Sequence, residues 1–190
     1  MLQEFSELQL AALSVLVFLA GFVDALAGGG GLITLPAYLA AGINPALLLG
    51  TNKLSSSFGA VVSMIRYMRT TRFAIKPFVP AIAASLIGSA IGARLAIRID
   101  PALVRAILLV VLPVVAYSVI SKHHYKKEDR SSEFSPQELL ARSLAASFPI
   151  GFYDGFFGPG AGTFFALAFN KVCRYDLFRA TTAAKILNLA

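Results

Sequence analysis

The sequence predicts an all-α membrane protein: a polytopic helical bundle with an inverted repeat and glycine-broken half-helices. Three observations lead there. Apolar residues make up 57% of the 190 residues and charged residues 14%, with a mean hydropathy of +0.72. A soluble domain carries about 25% charged residues, and an integral membrane protein absorbs that deficit most simply. Apolar runs recur along the whole chain. Two stretches, "GFVDALAGGGG" from Gly21 and "GFYDGFFGPGAG" from Gly151, place an aspartate and a glycine cluster inside such runs.

The runs cover 8–27, 31–41, 54–68, 77–97, 102–121, 139–157, 161–170 and from 176 onward. Several approach the roughly 20 residues that cross a bilayer. The first is a span and not a cleaved leader. "MLQEFSELQ" before it holds Glu4 and Glu7 and no Lys or Arg, whereas a signal peptide needs a positive start. The runs at 31–41 and 161–170 are too short to span, and each follows a glycine-rich break. Pro113 predicts a kink in the fifth run. Before the sixth, "SPQELLAR" reads as a helix start, with Ser135 as N-cap, Pro136 first and Glu138 third.

The connections carry the charge. Residues 66–76 hold Arg66, Arg69, Arg72 and Lys76 with no acid, and 121–138 form a polar, linker-like segment. The positive-inside rule puts both in the cytoplasm and the N-terminus outside. Arg94, Arg98 and Arg105 then fall near the outer face, where snorkelling or a functional role is needed to explain them. Followed span by span, this topology enters the first motif from outside and the second from inside, so the copies are inverted. An offset of 130 pairs Gly21 with Gly151, Phe22 with Phe152, Asp24 with Asp154, Gly28 with Gly158, Gly30 with Gly160, and further on Thr51 with Thr181. The expected organisation is a first repeat over 1–120, a cytoplasmic linker loop over 121–138 and a second repeat over 139–190. The second repeat is incomplete by this symmetry, so the chain reads as truncated at its C-terminus.

The formal charge of +7, from 17 Lys and Arg against 10 Asp and Glu, sits between apolar runs. Topology and anionic lipid account for it, and no nucleic-acid partner is expected. The single cysteine, Cys173, excludes an internal disulfide and a multi-cysteine metal cage. His123 and His124 read as solvated loop residues. No metal, no cofactor and no catalytic set of acid, base and nucleophile is expected.

Candidate site residues lie at the breaks and beyond them. A carboxylate at membrane depth costs at least about 2.5–3.5 kcal/mol. Asp24 and Asp154 therefore either cap the broken helices, couple an ion, or do both. Gly28, Gly29, Gly30 and Gly31, with Gly158, Gly160 and Gly162, permit irregular backbone, which survives at that depth only inside protein or beside a wet cavity. A helix starting behind such a break presents free N–H groups, a site for an anion. Close packing through small residues is the competing explanation. "GGGG" is neither a P-loop nor a dinucleotide fingerprint. "GTNKLSSS" from Gly50 and "ATTAAKILN" from Ala180 each open a span with Thr and Lys. Lys53 and Lys185 are either snorkelling anchors or contacts to an anionic substrate. Thr51, Asn52, Thr181 and Asn188 can supply neutral donors. Ser55, Ser56 and Ser57 are assigned to helix packing.

The stretches "GFVDALAGGGGLITLP", "GINPALLLGTNK", "GFYDGFFGPGAGTF" and "ATTAAKILN" together resemble the sulfite exporter TauE/SafE family of membrane permeases, from about residue 10 to the C-terminus. The resemblance implies a polytopic inner-membrane secondary transporter for small sulfur-containing anions such as sulfite and sulfonates, coupled to an ion gradient. It carries over Asp24, Gly28, Gly30, Pro36, Pro45, Gly50, Thr51, Lys53, Tyr153, Asp154, Gly155, Gly158, Pro159, Gly160, Gly162, Thr163, Lys185 and Asn188. The expected partners are a small anionic substrate and membrane lipid, and a homo-oligomer is compatible with the sequence. A second reading makes the chain a non-transporting membrane subunit or assembly factor of an envelope complex, with 121–138 as its partner surface.

Overall fold

The computed structural model describes residues 5–27, 29–71, 74–121 and 125–189. Among the described residues there are eight α-helices and no strand: α1 (Glu7–Ala27), α2 (Gly31–Ala40), α3 (Pro45–Thr71), α4 (Val79–Ala96), α5 (Pro101–Ile120), α6 (Pro136–Phe156), α7 (Ala161–Lys171) and α8 (Leu177–Leu189). The segments Glu7–Ala25, Lys76–Ala96 and Pro101–Val119 are long and apolar enough to cross a membrane. Phe22, Ile87, Ile91, Leu109, Val110 and Val114 are exposed on these helices, which is the surface a lipid-facing helix needs.

Helix ends follow the sequence signals. Asp100 caps α5, its carboxylate accepting from the Ala102 N–H at 2.8 Å. Ser135 and Glu138 form the expected capping box at the start of α6. Two expectations are corrected. α3 begins at Pro45, well before the apolar run at 54, so Gly50, Thr51, Asn52 and Lys53 lie inside a helix and do not open one. "PALLL" has helical propensity enough to extend the helix backwards. The repeat offset also does not stay at 130. α7 is one residue longer than α2, and loop 172–176 is one residue longer than 41–44. The helix starts Pro45 and Leu177 are therefore 132 apart. The structural counterpart of Lys53 is Lys185, each the ninth residue of its helix, and Thr51 does not pair with Thr181.

Two hydrophobic clusters divide the bundle. One gathers Leu35, Tyr38, Leu48, Val104 and Leu108, around the base of the α2–α3 hairpin. The other gathers Phe78, Phe165, Phe169, Cys173 and Tyr175, around the base of the α7–α8 hairpin. The glycine breaks meet between them: a Cβ added to Gly31 would lie 3.3 Å from Pro159 Cα. The two broken hairpins thus point at each other, tip to tip.

The closest helix crossing is α4 on α6. Gly88 and Gly92 face Gly151 and Gly155, a Gly-x-x-x-Gly pair on each side. A Cβ at Gly151 would lie 2.5 Å from Ser85 O, and one at Gly155 2.6 Å from Ser89 Cα. Lipid provides no hydrophobic drive for helices to associate, so small residues that let backbones touch hold them. Ser85 Oγ continues the contact to α8, donating to Leu187 O at 3.1 Å. Arg94, Arg98 and Arg105 are exposed around the α4–α5 turn, away from the breaks, as snorkelling residues would be.

The segment between α5 and α6 is not a free tether. Asn170 Nδ2 donates to Lys126 O at 2.9 Å and to Tyr175 O at 2.7 Å, and the Lys126 N–H donates back to Asn170 Oδ1 at 2.9 Å. Asp129 pairs with Arg179 at 2.8 Å, and Glu133 pairs with Arg130 and Arg174. Residues 125–135 therefore strap the α7–α8 turn. Burial works to raise the Asp129 carboxyl, but the Ser131 hydrogen bonds and the Arg179 charge outweigh it and hold the group below its ordinary value. Desolvation likewise opposes the shift at Glu133, and Arg130 and Arg174 win.

Two predictions follow from these packings. Replacing Gly155 by Ala, Val and Leu in turn should lower the melting temperature progressively, since each added carbon separates α4 from α6. An unchanged melting temperature for Gly155→Leu refutes the close crossing. A carboxyl depressed in the folded state contributes stability that is complete above its free value and lost as pH falls through the folded value. Amides over 125–135 should then be protected from hydrogen exchange at neutral pH, relative to the intrinsic exchange rate at each pH, and lose that protection below about pH 4. Absence of protection at every pH means the strap does not hold.

Candidate functional site

The site lies where the hairpin tips meet. Asp24 stands in the last turn of α1 and serves two helices. Its carboxylate accepts from the Gly30 N–H at 3.0 Å, at the entry to α2. Its backbone carbonyl, one of those α1 leaves without an intrahelical partner, accepts from Lys185 Nζ. Lys185 is 4% exposed. It reaches across from α8 and places a cation at the negative end of the α1 dipole. Gly30 has a helical φ of −56°. It must be glycine because a Cβ would lie 2.6 Å from Ala20 O and 2.7 Å from Asp24 Cβ.

The second break is built differently. Gly158 and Gly160 have φ of +90° and +77°, open to glycine at no steric cost. Tyr153 Oη donates to Pro159 O at 2.7 Å and ties the turn to α6. With the turn held in this way, the Asp154 carboxylate is not used as a cap. It pairs instead with Lys53 Nζ of α3 at 2.5 Å; the Asp154 side chain is 3% exposed and the Lys53 side chain 35%. The two lysines therefore cross: Lys53 of the first half to Asp154, and Lys185 of the second half to Asp24. The four formal charges cancel.

A polar cavity of about 20 Å³ sits among them, room for about one water. Asp24 and Gly31 line it from the first tip, Asn52, Lys53 and Ser56 from α3, Asp154, Gly158 and Gly160 from the second tip, and Asn188 from α8. A neighbouring cavity of about 30 Å³ shares Asp24, Asn52 and Ser56 and adds Gly30 and Thr34. Thr34 Oγ1 donates to Asn52 Oδ1 and orients that amide.

Of the residues singled out in the sequence, Asp24, Gly30, Gly31, Asn52, Lys53, Asp154, Gly158, Gly160 and Asn188 line these cavities, and Lys185 reaches Asp24. Thr51 is exposed on the outer side of α3 and is not part of the site. Gly29 and Thr163 are buried and Tyr153 is half-buried, but none of the three lines a cavity. Gly28, His123 and His124 lie outside the described residues. Sequence reasoning missed Thr34 and assigned Ser55 and Ser56 to packing. Their helical register, one turn from Gly30 and from Asn52, was the available signal. No group of three or more His, Cys, Asp or Glu side chains that could hold a metal occurs among the described residues.

The capping role of Asp24 can be separated from its charge. Asp24→Asn keeps an oxygen for the Gly30 N–H, whereas Asp24→Ala removes it at a cost of about 1 kcal/mol. The melting temperature should fall by roughly 2–4 °C more for the alanine variant than for the asparagine variant. Equal melting temperatures would show that the cap contributes nothing.

The family model described as sulfite exporter TauE/SafE matches residues 13–190. The probable membrane transporter protein YfcA of Escherichia coli (strain K12) is 39% identical over 183 residues, covering 96% of this chain and 67% of the relative. The probable membrane transporter protein ORF9 of a Sinorhizobium species is 40% identical over 179 residues, 94% of this chain and 67% of the relative. A probable membrane transporter protein of Haemophilus influenzae is 37% identical over 179 residues, with 94% and 69% covered. No solved structure matches the chain.

Proposed function

Because the chain belongs to the sulfite exporter TauE/SafE family of membrane transporters, we propose that it works as a secondary permease for small sulfur oxyanions or organosulfonates. On this reading it is a multi-pass protein of the inner membrane, and an ion gradient drives it. Residues 1–120 and 139–190 act as inverted halves. The chemistry is displacement of water and protein contacts from an anion, with no bond made or broken in the substrate.

One observation carries the reading. Two lysines, one from each half, converge on the meeting point of two broken helices, beside a small polar cavity. Lys53 and Lys185 supply the positive charge an oxyanion needs. Asn52, Ser56 and Asn188 supply neutral donors, and the N–H groups at the start of α2 and α7 add their dipoles. Asp24 and Asp154 are the candidate carriers of a coupling proton. A cavity of about 20 Å³ is too small for sulfite, so the site must widen to bind. The alternative role as a partner-binding subunit needs a free soluble surface. Residues 125–135 are tied to the α7–α8 turn of the same chain, with 126–130 left exposed.

The test is the melting temperature of the purified full-length protein against sulfite, thiosulfate, sulfoacetate, taurine, acetate and sulfate. A ligand that binds the folded state raises it in a concentration-dependent way. A sulfur oxyanion should do so, and Lys185→Ala should remove the shift and abolish transport in vesicles. A cooperative transition that no anion moves, or undiminished transport by Lys185→Ala, refutes the reading.

A further inference from the structure

The two carboxylates of the site do different things, although they occupy equivalent places in the repeat. Asp24 spends its carboxylate on the Gly30 N–H and touches no ammonium through it. Asp154 holds the Lys53 ammonium at 2.5 Å. The second break does not need Asp154 as a cap, because the positive-φ glycines and the Tyr153 to Pro159 bond close that turn. The Asp154 carboxylate is a planar oxyanion held against a lysine on the wall of the cavity. It shares with the proposed substrate a negative charge carried on oxygen acceptors, though it is planar with two oxygens where a sulfite or sulfonate carries three around sulfur.

We infer, resting on that permease reading, that Asp154 is a resident competitor of the substrate: its carboxylate occupies Lys53 in the empty protein and must be displaced before an anion binds. The cavity is small because an internal anion already fills the anion position. Lys185 is placed differently. It is buried on a backbone carbonyl, with ammonium donors beyond the one that bond uses. An incoming oxyanion therefore meets at the cavity wall one lysine that has to be won, while Lys185 does not line the cavity. A weak or badly shaped anion does not displace Asp154, so the ion pair sets a threshold for entry as well as closing the empty site.

Competition has a signature that simple ligation lacks. If the ion pair is closed about 90% of the time, the free fraction weakens the apparent Kd about tenfold. Removing the competitor restores that factor. Anion affinity should be measured by calorimetry on the full-length protein with sulfite and sulfoacetate as probes. Asp154→Asn, which keeps the side-chain shape, should bind about tenfold more tightly than the parent protein while its transport is lost. Asp154→Ser, smaller and also uncharged, should bind more tightly as well, and it serves if the asparagine variant does not fold. Asp24→Asn removes one negative charge from the same cavity without freeing a lysine, so its affinity should change much less. Lys53→Ala should bind weakly, and adding Asp154→Asn to it should recover nothing.

The outcomes separate the two readings. Parent protein that binds a probe, with Asp154→Asn and Asp154→Ser binding equally or more weakly, overturns the competitor and leaves the permease standing. An equal gain in Asp24→Asn and Asp154→Asn reduces the effect to charge and also overturns the competitor. Binding of neither probe by any of the proteins overturns the permease reading and the inference with it.

Discussion

A charge taken out of water must meet an opposite charge or a favourable dipole, and the tip-to-tip junction is organised by that requirement. Four ionisable side chains lie where two broken helices converge. Each lysine reaches the half of the chain that does not contain it, Lys53 to Asp154 and Lys185 to Asp24. A lysine that folded back on its own hairpin would satisfy its charge without joining the halves. The crossed arrangement makes neutralisation and docking the same event. Each of these charges costs at least about 2.5–3.5 kcal/mol at membrane depth when alone, so the halves are held together by what separation would leave exposed. The small cavity at the junction follows, because the groups that line it are also the groups that close it.

The halves resemble each other in outline and diverge in how each break is stabilised. In the first, ordinary helical backbone at Gly30 is capped by Asp24, and the carboxylate is consumed. In the second, left-handed glycines and a tyrosine hydroxyl do that work, and the carboxylate is left for a lysine. A duplicated motif can thus carry one structural aspartate and one responsive aspartate. The α4–α6 crossing places the second. α6 can lie against α4 at backbone contact because glycine and serine line both faces, and that contact fixes the depth at which Asp154 meets α3.

Much of the fold was legible, for identifiable reasons. Apolar runs marked the helices because lipid-facing and core-facing positions are both apolar, so a span is continuous in sequence. The Ser135 capping box was legible because its bonds join residues three apart. The breaks at Gly30 and at Gly158 to Gly160 were legible because only glycine tolerates those backbone positions beside a neighbour. The start of α3 was not, since hydropathy marks where lipid begins and the helix extends beyond it. Thr51 was misplaced because a residue beside Asn52 and Lys53 in sequence points about 100° away from the first and about 160° away from the second on a helix. Thr34 went unnoticed because its partner, Asn52, lies on another helix. The strap was read as a linker loop because its ion pairs, such as Asp129 with Arg179, join residues far apart in the chain.

By itself the sequence determined the helical class, the positions of the two breaks, the repeated aspartates and the family to which the chain belongs. Each of these depends on local pattern: hydropathy over a span, backbone freedom at a glycine, identity within a motif. Tertiary structure decided which aspartate caps and which pairs, that Lys53 and Lys185 are equivalents despite a shifted offset, and that Thr51 lies outside the site. Those outcomes depend on distances between helices brought together only by packing, and no spacing along the chain encodes which lysine a buried carboxylate will meet.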